Sequence, residues 1–296
     1  MLTRRRFIAI SAALAPSMAL AQSELHVETG IALGATVTLR LQHPDAPRLA
    51  SLAMAEIRRL ESVFSIYLPD SSLSRLNREG ALAAPPFELL DCLSLAGAVH
   101  RASVGRFDPT VQPLWQAEAL ALQRGSPLTD TERTDVRARI GWNGVTLAAE
   151  AITLRPGMAL TLNGIAQGYI ADRVATLLAD HGLTQALIDT GEMVALSGQG
   201  WPVHLPDHKI ELRGRALATS APLGMTFGGD GKTSHILNPG TGRPARSPWK
   251  SVTVSAQSAA LADAISTAAC LIEVKDAVGT LCDQFPGTIL ESAIPL

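Results

Sequence analysis

The sequence predicts a mixed α/β (α+β) protein folded as one compact two-lobed unit, on three observations. Some stretches repeat apolar residues at helical spacing and others alternate them, with no linker, repeat or low-complexity tract in between. Hydrophobic residues make up 47% of the chain and charged residues 18%, a balance that supports a packed core and excludes a disordered polymer. A length of 296 residues is enough to bury a sizeable core.

The elements follow in order. Residues 31–41 read as a strand, with Val37, Leu39 and Leu41 on one face and a break at Gly34-Ala35. Residues 44–64 form the first helix, because Leu49, Leu52, Ala53, Ile57 and Leu60 follow the helical period. A polar loop over 65–77 contains Pro69 as a stop, and a second helix spans 86–104 and ends at Gly105. Residues 116–141 are more polar and predict surface structure with a short helix over 130–140. A small hairpin follows over 144–156. A glycine-bearing turn, 161–169, opens a helix whose buried face is Ile170, Val174, Leu177 and Leu178. Strands are expected at 185–189 and 193–197, with further short strands to Ser220. A glycine-rich stretch at 225–233 leads into a dense turn segment at 235–244. The chain then alternates as a strand over 251–256 and forms an Ala-rich helix over 258–272.

Residues 1–21 read as an export signal. Arginines at 4–6 precede an apolar run, and Ala19 and Ala21 offer the small residues that a signal peptidase reads. The arginines before Phe7 resemble a twin-arginine signal, with an ordinary Sec signal as the alternative, and the mature protein, 22–296, is expected in the periplasm. The run is short for a membrane span, and no cysteine stands at the cleavage site, so no lipid anchor is expected. Net charge is −2, and removing the signal makes it more acidic; aromatics are 4%. Both features argue against a nucleic-acid partner. Cys92, Cys270 and Cys282 form no Cys-x-x-Cys pair and read as structural.

Chemistry concentrates at four places. The turn at 161–169 ends in a helix start, whose outward N–H groups favour an anion, and Gly164 and Gly168 leave room for a ligand against the backbone. Asp263 and Thr267 stand four apart and share a helix face, with Ser266 one position round. One carboxylate plus neutral oxygens suits Mg²⁺, which retains water and phosphate oxygens. The same residues are also compatible with a solvated aspartate and hydroxyls bonded back to their helix. His235 stands in a turn among Ser234, Asn238 and Thr241, a setting suited to proton transfer. Asp108, before Pro109, suits ligand hydroxyls or an ordinary turn. Walker, nucleophile-elbow, His-Glu-x-x-His and Gly-x-Gly-x-x-Gly motifs are absent.

Several segments in register resemble the ApbE-type flavin transferase family over about 31–272. They are Ser65-Ile-Tyr67 with Ser74-Arg-Leu-Asn77, Gly105-Arg-Phe-Asp-Pro-Thr-Val111, Leu162-Asn-Gly-Ile-Ala-Gln-Gly-Tyr-Ile-Ala-Asp172, Ala218-Thr-Ser220, Ser234-His-Ile-Leu-Asn-Pro-Gly-Thr-Gly-Arg-Pro244, and Ser251-Val-Thr-Val254 with Ala262-Asp-Ala264. Members use FAD and Mg²⁺ to place FMN on a threonine of another protein. The resemblance implies an ApbE-like catalytic unit over 22–296, with an acceptor from a membrane or periplasmic redox system. Leu33, Tyr67, Arg106, Phe107 and Asp108 would contact FAD, as would Thr161, Gln167 and Ile236. Metal positions would fall on the Gly164 carbonyl, Asp263, Ser266 and Thr267, and His235 would be the base. The chain departs from the family pattern at Thr161 and Asn238, where aspartates are usual, at Gln167, where lysine is common, and at Ser266, which is acidic in some members. Two other readings share these residues: a pyrophosphatase yielding FMN and AMP, and a flavin-binding protein without catalysis.

Overall fold

The computed structural model describes residues 24–228 and 231–296; the expected export signal lies outside the described residues. Its organising feature is a seven-stranded sheet whose strands are β1 (Leu25–Ala32), β2 (Ala35–Gln42), β3 (Ala186–Asp189), β4 (Met193–Ala195), β5 (Arg215–Ser220), β6 (Trp249–Ala256) and β7 (Ile289–Pro295). Each strand pairs antiparallel with the next in chain order, so the sheet is a meander into which helices are inserted. Alternation decides its two faces. Val37, Leu39, Ile188, Val194, Ala218 and Val254 belong to the main core under the helices. Leu187, Met193, Ala195 and Leu217 belong to a second core, closed by the hairpin Trp201–His204 and Lys209–Leu212.

The helices are α1 (Ala46–Phe64), α2 (Ser72–Glu79), α3 (Phe87–Ala102), α4 (Gln112–Gln123), α5 (Asp130–Arg137), α6 (Ala166–Asp180), α7 (Ala259–Ala269) and α8 (Lys275–Asp283). Helices and antiparallel sheets together make the mixed α+β class that the sequence predicts. The α1 stripe is buried as its period requires, with Leu49, Ala53, Ile57 and Leu60 in the core. Leu52 is off the stripe and exposed.

The differences have local causes. The expected single strand at 31–41 is a hairpin, turned by Leu33 (φ 49°) and Gly34 (φ 72°). Two left-handed residues match the twist of the flanking strands, and Leu33 N–H donates to Glu61 Oε1 at 2.7 Å, which ties the strained turn to α1. The expected loop over 65–77 contains α2, held by a Ser71 cap that accepts from Ser74 N–H and by Gly80 in the left-handed region. α4 begins at Gln112 and fills part of the stretch read as irregular surface. Beyond 272 the chain forms α8 and β7, which pairs along β6 and closes the core over Val278 and Leu281.

Antiparallel order puts the ends of β3 and β5 beside the starts of β4 and β6, at one end of the sheet. The candidate site opens there.

Candidate active site

Two helices hold each other's first turns. α6 begins at Ala166, inside the stretch expected as a turn, and its cap residue Ile165 has no side-chain acceptor. The Gly168 N–H instead faces the Asp263 carboxylate, on α7, and favours its ionised form. In return, Asp172 on α6 accepts from Ala259 N–H (2.7 Å), Ala260 N–H (3.0 Å) and Ser258 Oγ (2.7 Å) at the start of α7. Each carboxylate faces donors that a helix start leaves without internal partners, at the positive end of a helix dipole.

Gly168 has a different role from the expected one. A Cβ there would fall 2.4 Å from the Ala259 carbonyl carbon and oxygen. The glycine therefore permits the α6–α7 crossing; it does not admit a ligand. Gly168→Ala is expected to destabilise the protein by about 3 kcal/mol, since backbone has to move. A Tm within a degree of wild type would show that the crossing can relax.

The cavity beside this crossing has a volume of about 600 Å³. Arg106, Phe107 and Asp108 line one side, and Thr161, Gly164 and Gln167 line the α6 side. His235 and Ile236 reach it from the turn segment, and Asp263 and Thr267 from α7. Three expected site residues are not part of its lining. Leu33 sits in the hairpin turn described above, Tyr67 is 65% exposed, and Ser266 is fully buried behind the wall. The Ser266 hydroxyl donates to the Asp263 carbonyl (3.0 Å) and meets Ser220 Oγ at 2.7 Å, so it braces α7 against β5.

Several lining groups are already anchored. Asp108 accepts from the Thr110 N–H (2.8 Å) and hydroxyl (2.6 Å), forming a turn cap within the cavity wall. Burial pushes its carboxyl upward, with Thr110 and His100 pulling the other way. The Gln167 amide donates to the Thr190 carbonyl (3.0 Å), and the Thr190 hydroxyl donates to the Gln167 carbonyl (2.9 Å). That pair of bonds ties the first turn of α6 to the β3–β4 loop. Thr161 N–H donates to the Pro109 carbonyl (2.8 Å), joining the two loops that flank Phe107.

The lining includes two buried carboxylates, Asp263 (4% exposed) and Glu192 (8% exposed). In the sequence Glu192 stands only in the short gap between the strands expected at 185–189 and 193–197. A backbone N–H faces each of them, from Gly168 and Thr219 respectively. One oxygen of each, Asp263 Oδ2 or Glu192 Oε2, is buried and has no hydrogen-bond partner. Burial pushes both well above the usual carboxylate range, and the nearby Asp263 charge raises Glu192 further.

These residues fit a hard cation. Asp263 supplies a carboxyl oxygen without a hydrogen-bond partner, and Thr267 Oγ1 stands 3.2 Å from Ser220 Oγ. A Cβ on Gly164 would fall 2.9 Å from Thr267 Oγ1, so the glycine lets the loop backbone approach that hydroxyl. No group of three or more His, Cys, Asp or Glu side chains placed for a metal occurs among the described residues. An ion here would therefore draw on carbonyl, hydroxyl, water and substrate oxygens as well, which is Mg²⁺ chemistry and not zinc chemistry.

His235 Nδ1 lies 2.8 Å from the Met225 carbonyl and 3.2 Å from the Pro222 carbonyl. Carbonyls only accept, so Nδ1 carries the proton, and in the neutral ring the basic lone pair is on Nε2. The cysteines take no part: all three are free and buried, and burial pushes Cys282 up to about 11.

The chain is 29% identical over 286 residues to the FAD:protein FMN transferase of Vibrio cholerae, with 86% of this chain and 85% of that one covered. It is 26% identical over 272 residues to the enzyme of the same name from Escherichia coli K12, covering 83% and 78%. In fold it is similar to the apo form of Pseudomonas stutzeri flavinyl transferase ApbE, with a TM-score of 0.81, 24% identity, and 94% and 97% coverage. The family model described as the ApbE family matches residues 33–288, and the chain belongs to that family.

Proposed function

We propose that this protein transfers FMN from FAD to a threonine hydroxyl of an acceptor protein, with Mg²⁺, and releases AMP. The observation that carries this reading is a single cavity that holds both a tautomer-fixed histidine and buried carboxylates with unused oxygens. The names of the relatives agree with it.

In this reaction the acceptor oxygen bonds to the FMN-side phosphorus of FAD as the pyrophosphate bridge breaks, and AMP leaves with the bridging oxygen. His235 Nε2 takes the threonine proton, its ring held by the Met225 carbonyl. Asp263 and Thr267, with the Gly164 carbonyl, would hold Mg²⁺, which when bound supplies charge neutralisation to the phosphates. Arg106, also in the lining, adds a cation suited to phosphate oxygens. The expected periplasmic location and twin-arginine route rest on Arg4, Arg5 and Arg6 and the apolar run after them.

The test is to incubate purified protein with FAD and Mg²⁺, with and without an acceptor domain, and to measure in-gel flavin fluorescence and AMP. A fluorescent acceptor band with AMP supports transfer. AMP and free FMN without acceptor would replace transfer by hydrolysis, and neither product across a set of acceptors would overturn the enzyme reading.

A further inference from the structure

We infer that Glu192 is the second carboxylate of the cation site, acting with Asp263 in the lining of the cavity. This rests on the transferase reading only for the nature of the ion.

Three observations carry it. Glu192 comes from the β3–β4 loop and Asp263 from α7, yet both line the same cavity and both are more than nine-tenths buried. Each has a backbone N–H facing it, from Thr219 and Gly168, which favours the ionised carboxylate against burial. Each has one oxygen buried with no hydrogen-bond partner. A carboxylate needed only to brace β5 would be satisfied by the Thr219 N–H and would not leave Oε2 without a partner in a cavity wall. Buried polar atoms are rarely left this way, and two in the lining of one cavity define a place for something positive.

The charge balance points the same way. Two carboxylates neutralise one divalent cation, whereas Asp263 alone would leave a buried excess of one positive charge until substrate arrives. Ser266 cannot make up the difference, since it is uncharged and its hydroxyl is engaged with the Asp263 carbonyl and Ser220. The loop carrying Glu192 is itself positioned through Thr190 and its two hydrogen bonds to Gln167. Gln167 therefore acts on the site by orienting the Glu192 loop, besides lining the cavity.

The test uses Mn²⁺ as the probe. Free Mn²⁺ is titrated by electron paramagnetic resonance against the purified protein, with and without FAD, for wild type, Glu192→Gln and Glu192→Asp. The glutamine variant is expected to bind at least about tenfold more weakly, and the aspartate variant to fall between it and wild type. In EDTA the glutamine variant should melt no lower than wild type, because the isosteric amide keeps the Thr219 contact and carries no charge. Wild type and the glutamine variant binding Mn²⁺ within about twofold of each other would overturn the role of Glu192 and leave the transfer reading intact. A lower Tm in EDTA together with unchanged Mn²⁺ affinity for the aspartate variant would make Glu192 a structural brace. No Mn²⁺ binding by wild type in either arm would overturn the cation site itself, a failure that the FMN-transfer assay registers separately.

Discussion

Asp263→Asn is expected to lower Mg²⁺-dependent turnover by at least about a hundredfold, while the cation-free protein becomes no less stable. The two halves of this result have one cause. Asp263 is buried at the crossing of α6 and α7, and burial pushes its carboxyl above the usual range. An acid raised in the folded state holds its proton more tightly there than in the unfolded chain. Its contribution to stability is therefore fully present below the unfolded value of roughly 3.9 and is lost as pH rises toward the folded value. Without a cation, the wild type should lose Tm across that window. Asparagine does not titrate, and its amide oxygen can still face the Gly168 N–H, so the variant should be flatter with pH in EDTA. Adding Mg²⁺ should raise the wild-type Tm and leave the variant's unchanged. Initial rates of AMP release, with thermal melts in EDTA and in Mg²⁺, check both halves. A near-normal Mg²⁺-dependent rate would move the cation away from α7.

The parts of this site that were legible in the sequence are those with a local pattern. Asp263 and Thr267 stand four apart in an apolar helix, and the structure brings both to one cavity because helical period puts them on one face. His235 was legible from its setting among turn residues, and its ring does reach the cavity. Glu192 has no comparable signal. Thr190-Gly-Glu192 reads as an ordinary strand connection, and only the meander order brings that loop beside the end of β5. Gly168 shows a different limit. A glycine that admits a ligand and one that admits a neighbouring helix look the same in sequence, and the clash with Ala259 decides between them. The helix α2, Ser-Leu-Ser-Arg-Leu-Asn-Arg-Glu, is too polar to show a wide apolar stripe, and its two caps are what hold it. The strand break is legible at Gly34-Ala35, but the left-handed backbone of Leu33 beside it follows from the two-residue hairpin, a feature of pairing between strands and not of the residue.

His235→Asn separates the chemical role of that ring from its structural one. The asparagine amide N–H₂ sits close to where Nδ1–H sits, so it can keep the bond to the Met225 carbonyl that holds the turn segment in place. It offers nothing at the Nε2 position. If the ring only braces the segment, His235→Asn should retain most of the activity and His235→Ala should lose both activity and stability. If Nε2 takes the proton of the acceptor hydroxyl, both variants should fall by about a hundredfold to ten-thousandfold in transfer, with FAD affinity little changed. The Asn variant should then melt close to wild type, because its loss is confined to the proton-transfer step. Single-turnover flavinylation of an acceptor domain, measured beside FAD binding and thermal melting, distinguishes the two. The comparison has force because the Nδ1 contact fixes which nitrogen is the base. A histidine oriented the other way, with Nε2 on the carbonyl, would be mimicked by glutamine instead, so His235→Gln is expected to lose both the anchor and the base.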